Sequence, residues 1–140
     1  MRKTLPTDRH YERLARFRYA LRRYLRFSED AARRAGVSPT QYQLMLFVKS
    51  FRTDFPSIAD LAERMQVSHH SAVELIDRSE SAGLLARQKD PRDARRVRVR
   101  LTPKGARILG RLVSEHYGRL DELHRSVPAP LRFARREKDR

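Results

Sequence analysis

The chain has 140 residues, one domain's length, and 32 Lys and Arg against 17 Asp and Glu give it a formal charge of +15, an excess that attracts polyanions and says little about fold. It contains no cysteine, which excludes disulfides, thiolate metal sites and cysteine redox switching, and no asparagine, which excludes N-linked glycosylation. The longest apolar run, Leu44–Val48, is far short of the roughly 20 residues that span a bilayer, and Met1–Pro6 has no apolar stretch behind it, so a cytoplasmic protein with neither membrane span nor secretory signal is expected.

Residues 8–35 read as a long helix. Leu14, Phe17, Leu21, Tyr24, Leu25, Ser28 and Ala31 recur at three- and four-residue steps, and Arg fills the other faces. Gly36 ends it. Ser38-Pro39-Thr40-Gln41 is a capping box with Pro at the first helical position, opening a second helix to about Phe51. The Leu44–Val48 run makes that helix largely buried. After a loop over 52–56, Ser57 caps a short helix with Ile58, Leu61, Ala62 and Met65 on one face. Gln66-Val67 makes the turn. Ser68 caps a further helix to about Ala82 with Ala72, Leu75 and Ile76 inward, and Gly83 stops it.

The period then changes. Val97, Val99 and Leu101 alternate with Arg96, Arg98 and Arg100, a strand with one apolar and one cationic face, and Leu84–Lys89 supplies its antiparallel partner. Asp90-Pro91-Arg92-Asp93 is the turn between them. The hairpin's tip and outer edge are therefore cationic. Thr102-Pro103 caps a last helix with a stripe of Leu109, Leu112, Val113, His116, Tyr117, Leu120, Leu123 and Val127. Pro128 and Pro130 break it, and Leu131–Arg140 is a short basic tail.

Charge is concentrated in two blocks: residues 1–35 and 86–107 each carry +7, while 36–85 carry −2 and 108–140 carry +3. Two short helices about a tight turn, followed directly by a basic hairpin, make a winged helix-turn-helix. The second short helix of such a lobe fits the major groove of duplex DNA, and the hairpin reaches the backbone or the adjacent minor groove.

Residues 58–65, then Val67-Ser68, Asp77-Arg78 and Gly83-Leu84, together with Asp90-Pro91-Arg92-Asp93-Ala94-Arg95 and Leu101-Thr102-Pro103-Lys104-Gly105, resemble the MarR family of transcriptional regulators over about residues 10–127. The resemblance implies one winged helix-turn-helix domain, mainly α with a small β-hairpin. Residues 38–101 form its DNA-binding lobe, and 8–35 and 104–127 are its dimerisation helices. It implies a homodimer on a pseudo-palindromic operator, and repression relieved by a small aromatic or phenolic effector. By position, Ser68, His69, His70 and Ser71 open the recognition helix. Arg92 and Arg95 are the wing arginines, held by Asp93 through ion pairing, and Arg96 lies beside them. Gln66 stands where the family often has Gly, which a negative φ accommodates. Ser79 stands where Leu is expected, which implies looser packing.

Other functions fit less well. His116 and His124, eight apart, lie on similar faces of the last helix, but no carboxylate stands at ligand spacing, so packing or interface histidines are expected rather than metal ligands. Ser68 and His69 are sequence neighbours whose helical side chains diverge, so they make no nucleophile–base pair. No phosphate loop or dinucleotide fingerprint is present, so neither an enzyme nor a cofactor is expected. A non-specific nucleic-acid-compacting protein is the alternative that charge alone permits. Tyr24, Tyr42, His116 and Tyr117 either line an effector pocket or pack in the core and dimer.

Overall fold

The computed structural model describes residues 5–52 and 54–126. Its elements, in chain order, are α1 (Asp8–Arg34), α2 (Pro39–Ser50), α3 (Ile58–Met65), α4 (His69–Ser81), β1 (Leu85–Lys89), β2 (Val97–Leu101) and α5 (Pro103–Arg125). This is the expected mainly helical architecture with one small hairpin. Val127, Pro128, Pro130 and the tail over 131–140 lie outside the described residues.

Helix starts are set by local side-chain chemistry. At Ser38 and Ser57 the hydroxyl accepts from the amide three residues on, while Gln41 and Asp60 reach back to the cap amide, so both are full capping boxes. Ser68 caps α4 by accepting from the Ser71 amide. Gly83, at φ +73°, turns the chain out of α4 in the left-handed region. In the turn between α3 and α4, Gln66 has φ +56°, the left-handed region, and not the negative φ that accommodates a non-glycine residue without cost. Its amide donates to Ala62 and Glu63 carbonyls, and its Nε2 donates to the Glu63 carbonyl at 2.7 Å. These bonds offset the roughly 1 kcal/mol that left-handed backbone costs a non-glycine residue.

The chain divides into two compact units, one of residues up to Asp30 with those from Glu115 on, the other of Ala31–Ser114. The division falls inside α1 and α5. In the second unit α2, α3 and α4 pack around Leu44, Met45, Leu61 and Ile76, and the hairpin closes the core with Leu84, Leu85 and Val99. Burial of each such side chain is worth about 1.5–3 kcal/mol. The apolar run of α2 is only partly inside: Leu44, Met45 and Val48 are buried, Phe47 is half-buried and Leu46 is exposed, because a helix turns successive side chains away from one another. Ser79 is fully buried, and its hydroxyl donates to the Leu75 carbonyl at 2.8 Å, so the position is polar inside and satisfied within its own helix.

β1 and β2 pair antiparallel with Leu85 opposite Leu101 and Lys89 opposite Val97. Residues 56 and 57 add a third edge: the Val99 amide donates to the Pro56 carbonyl at 2.9 Å, and Ser57 bridges Arg98. The exit from β2 is built onto the end of α4. Thr102 Oγ1 donates to the Gly83 carbonyl at 2.5 Å and accepts from the Gly105 amide at 3.0 Å, and Lys104 Nζ donates to the Ala82 carbonyl at 3.0 Å. Gly105 is required there, since a Cβ would collide with the Leu84 carbonyl. The Leu-Thr-Pro-Lys-Gly run is thus a clasp between the N-terminus of α5 and the C-terminus of α4.

In the first unit, His116 is buried with Nε2 2.7 Å from Ser28 Oγ and lies edge-to-face against Tyr24 and Phe27. Arg23 pairs with Glu122 at 3.3 Å, and Arg119 stacks over Phe27. Not every position of the two sequence stripes is covered: Leu14, Leu25, Tyr117 and Leu120 are exposed.

Candidate nucleic-acid interface

The candidate surface is built by α4 and by the turn over residues 90–96, both in the second unit. Ser68, His69, His70 and Ser71 are all exposed at the head of α4. Ser68 and Ser71 are already engaged: besides the cap, the Ser68 hydroxyl donates to Ser71 Oγ at 2.9 Å. His70 Nε2 lies 3.2 Å from Glu74 Oε1, one helical turn on, with both side chains exposed. The exposed head of α4 therefore includes a carboxylate, Glu74, signalled in the sequence by its i, i+4 spacing from His70.

The outer end of α4 carries Asp77 and Glu80, and one arginine of the hairpin pairs with both. Arg87 on β1 reaches Asp77 Oδ1 with Nη2 at 2.6 Å and Glu80 Oε1 with Nη1 at 3.3 Å, and its amide donates to Glu80 Oε2 at 3.0 Å. This one arginine fastens helix to hairpin and offsets one of the two negative charges there. Sequence periodicity puts Arg87 on a strand and cannot say which helix it meets.

On the hairpin, Arg92, Asp93, Arg95 and Arg96 are all exposed, as a surface that meets DNA requires. Two expectations need correction. Asp93 makes no ion pair among the described residues; its Oδ1 accepts from the Arg95 amide at 3.0 Å, so it shapes the turn's backbone. The cationic edge is also interrupted at Arg98 on β2. Arg98 has 18% of its side chain exposed and pairs with Asp90, with Nη2 and Nε each 2.9 Å from Oδ2, while Nη1 donates to the Phe55 carbonyl at 2.9 Å. Its charge is spent within the fold because the third edge at 56–57 covers that side of the strand. At the tip, Arg92, Arg95 and Arg96 carry no ion pair among the described residues.

Two carboxylates in this unit are held below the usual carboxylate range. For Asp60 the main cause is the Ser57 amide, and for Asp90 the Arg92 amide, with burial opposing and nearby arginines adding to the effect. Between the 51–55 segment and the turn lies an open cleft of about 550 Å³ whose lining includes Phe51, Phe55, Pro91 and Arg92.

The residues read as pocket candidates fall in both units. Tyr24 and His116 touch in the first unit, where the neighbouring cavity of about 10 Å³ is too small for an organic ligand, while Tyr42 is buried in the second unit and Tyr117 is exposed. Among the described residues no three His, Cys, Asp or Glu side chains gather as metal ligands, and no helix is long and apolar enough to cross a membrane.

Comparison with known proteins gives a consistent result. The sequence profile of the MarR family matches residues 35–96. An uncharacterised HTH-type transcriptional regulator of Bacillus subtilis, YsmB, is 33% identical over 70 residues, 50% of this chain and 48% of that one, so the chain spans about half the length of the curated relative it matches. Among solved structures, AbsC, a MarR family transcriptional regulator from Streptomyces coelicolor, superposes with a TM-score of 0.73 at 19% identity, covering 98% of this chain and 93% of that one. The S. aureus MepR–DNA complex gives a TM-score of 0.70 at 16% identity over 87% and 89% of the two chains. A mutant MarR from E. coli complexed with operator DNA gives 0.68 at 18% over 86% and 88%. Likeness at these identities establishes the fold.

Proposed function

We propose that this chain, which matches the MarR family over residues 35–96 and has its winged helix-turn-helix fold, is a member of that family and a transcriptional regulator that binds duplex DNA sequence-specifically. The observation that carries the reading is the exposed set Arg92, Arg95 and Arg96 on a hairpin that Arg87 fastens to α4. That arrangement presents a helix for base edges and guanidinium groups for the backbone or minor groove as one body. Ser68, His69, His70 and Ser71 supply donors and acceptors at the head of the helix, and the DNA complexes of MepR and MarR support the same partner.

The regulator acts as a homodimer in the cytoplasm. The exposed apolar residues Leu14, Leu25, Tyr117 and Leu120 on α1 and α5 support a covering copy of the same chain. Repression relieved by a small aromatic or phenolic effector completes the proposal, and rests on the family alone. No catalysis and no cofactor are invoked.

Selection of bound sequences from a random duplex pool tests the reading. One enriched palindrome with half-sites about one helical turn, ~10 bp, apart is expected. A charge of +15 also favours non-specific compaction of nucleic acid. That second reading predicts no enriched sequence and equal affinity for selected and random duplexes.

A further inference from the structure

The seven residues 90–96 join two five-residue strands. A two-stranded hairpin this short is marginal by itself, so the placement of its tip needs a tether. One buried group provides it. Asp90 is 7% exposed, although every residue of the turn after it, Pro91 to Arg96, is exposed. Its Oδ1 accepts from the Arg92 amide at 2.8 Å, and its own amide donates to the Arg96 carbonyl at 3.0 Å. Its Oδ2 holds Arg98, whose remaining arm reaches the Phe55 carbonyl just ahead of the cap of α3. A buried carboxylate is costly unless fully partnered, and here both oxygens are used. The chain amide of Arg92 is thus linked through Asp90 and Arg98 to the segment that leads into the helix-turn-helix.

We propose that Asp90, acting through Arg98, is the positioning residue of the hairpin tip: it fixes the backbone from which Arg92 projects and so sets where that guanidinium meets the duplex. This role rests on the DNA-binding reading above. It differs from the role first expected of Asp93, which is exposed and holds only the next turn. The lowered pKa of Asp90 keeps the tether ionised at neutral pH.

The experiment is a double-mutant cycle on the selected duplex at fixed salt, read by fluorescence anisotropy. Asp90→Ala is expected to weaken binding about tenfold even though it adds a unit of positive charge, a loss in the range of one specific contact. In an Arg92→Ala background the same substitution is expected to cost less than about twofold, because the group it positions is gone. Unchanged or tighter binding by Asp90→Ala overturns the inference, as does a full tenfold loss persisting without Arg92, which is the mark of a general loosening. Should Asp90→Ala fail to fold, Arg98→Met keeps the stem packing and cuts the same tether, with the same two outcomes. Amide hydrogen exchange adds a readout free of DNA: Asp90→Ala is expected to speed exchange at the Arg92 amide, which loses its acceptor, and at the amide of residue 90, which donates to the Arg96 carbonyl, without changing α3 or α4, and no change at Arg92 overturns the tether. Failure of the parent chain to enrich any duplex is distinct, and counts against the DNA-binding reading itself.

Discussion

At the hairpin tip a carboxylate stands among arginines, and its effect on a polyanion has two opposite components. Asp93 subtracts one positive charge, yet it also holds the Arg95 amide at 3.0 Å and so fixes the start of Arg95. Arg95→Ala is expected to weaken operator binding by ~1–3 kcal/mol, the range of one good specific contact. Asp93→Ala is expected to weaken it as well, in spite of the added charge; anisotropy on one duplex at fixed salt compares the two. Tighter binding by a folded Asp93→Ala variant means that the tip is only a charged patch. The head of α4 offers a second residue-level test. Glu74 is held beside His70 at 3.2 Å, and a carboxylate in the major groove accepts from the cytosine amino group. Alanine at His69, His70 or Glu74 is therefore expected to change which bases are preferred when site positions are randomised. Identical base profiles for all three variants show that none of them reads sequence.

Among the elements, the join between α4 and α5 is the least tolerant. Gly105→Ala drives a methyl group into the Leu84 carbonyl, which is backbone and cannot swing aside. A loss of about 1–3 kcal/mol in urea unfolding is expected, in the manner of other overpacked sites, whereas Gly110→Ala, with open space around it, is expected to stabilise its helix slightly. Parent-like stability of Gly105→Ala would show that α5 can shift at no cost. Element limits were legible in the sequence because caps are local: Ser38, Ser57, Ser68 and Gly83 act within three or four residues of themselves. So were the exposed tip arginines, which follow from a turn between alternating strands. What could not be read were partners across segments. Periodicity assigns Arg98 to the outer face of a strand, and only the fold brings Phe55 and Asp90 to it. The same holds for Arg87 with Asp77 and Glu80, and the left-handed Gln66 has no local cue, since its compensating bonds form only in the finished turn.

For the molecule as a whole, acidity and salt act on different groups. Asp60 and Asp90 have folded pKa values below their ordinary range, so the stability they contribute is present above that range and is lost as pH falls through the lowered values. The urea midpoint is expected to drop below about pH 4, and Asp60→Asn is expected to lower the neutral midpoint while flattening that drop. A parallel pH profile for Asp60→Asn would remove the capping carboxylate from the account. Salt instead reports the tip: each lost phosphate contact should reduce the slope of log affinity against log salt by about 0.9. Finally, the hydroxyl of Thr102 and the amine of Lys104 rivet the carbonyls of Gly83 and Ala82, the two residues that close α4, to the first turn of α5. The first turn of α5 is thereby indexed to the C-terminal end of α4. Within the second unit, the direction in which α5 starts is therefore fixed by the end of α4 through two side-chain bonds, and loss of either hydroxyl or amine frees that start without opening the core.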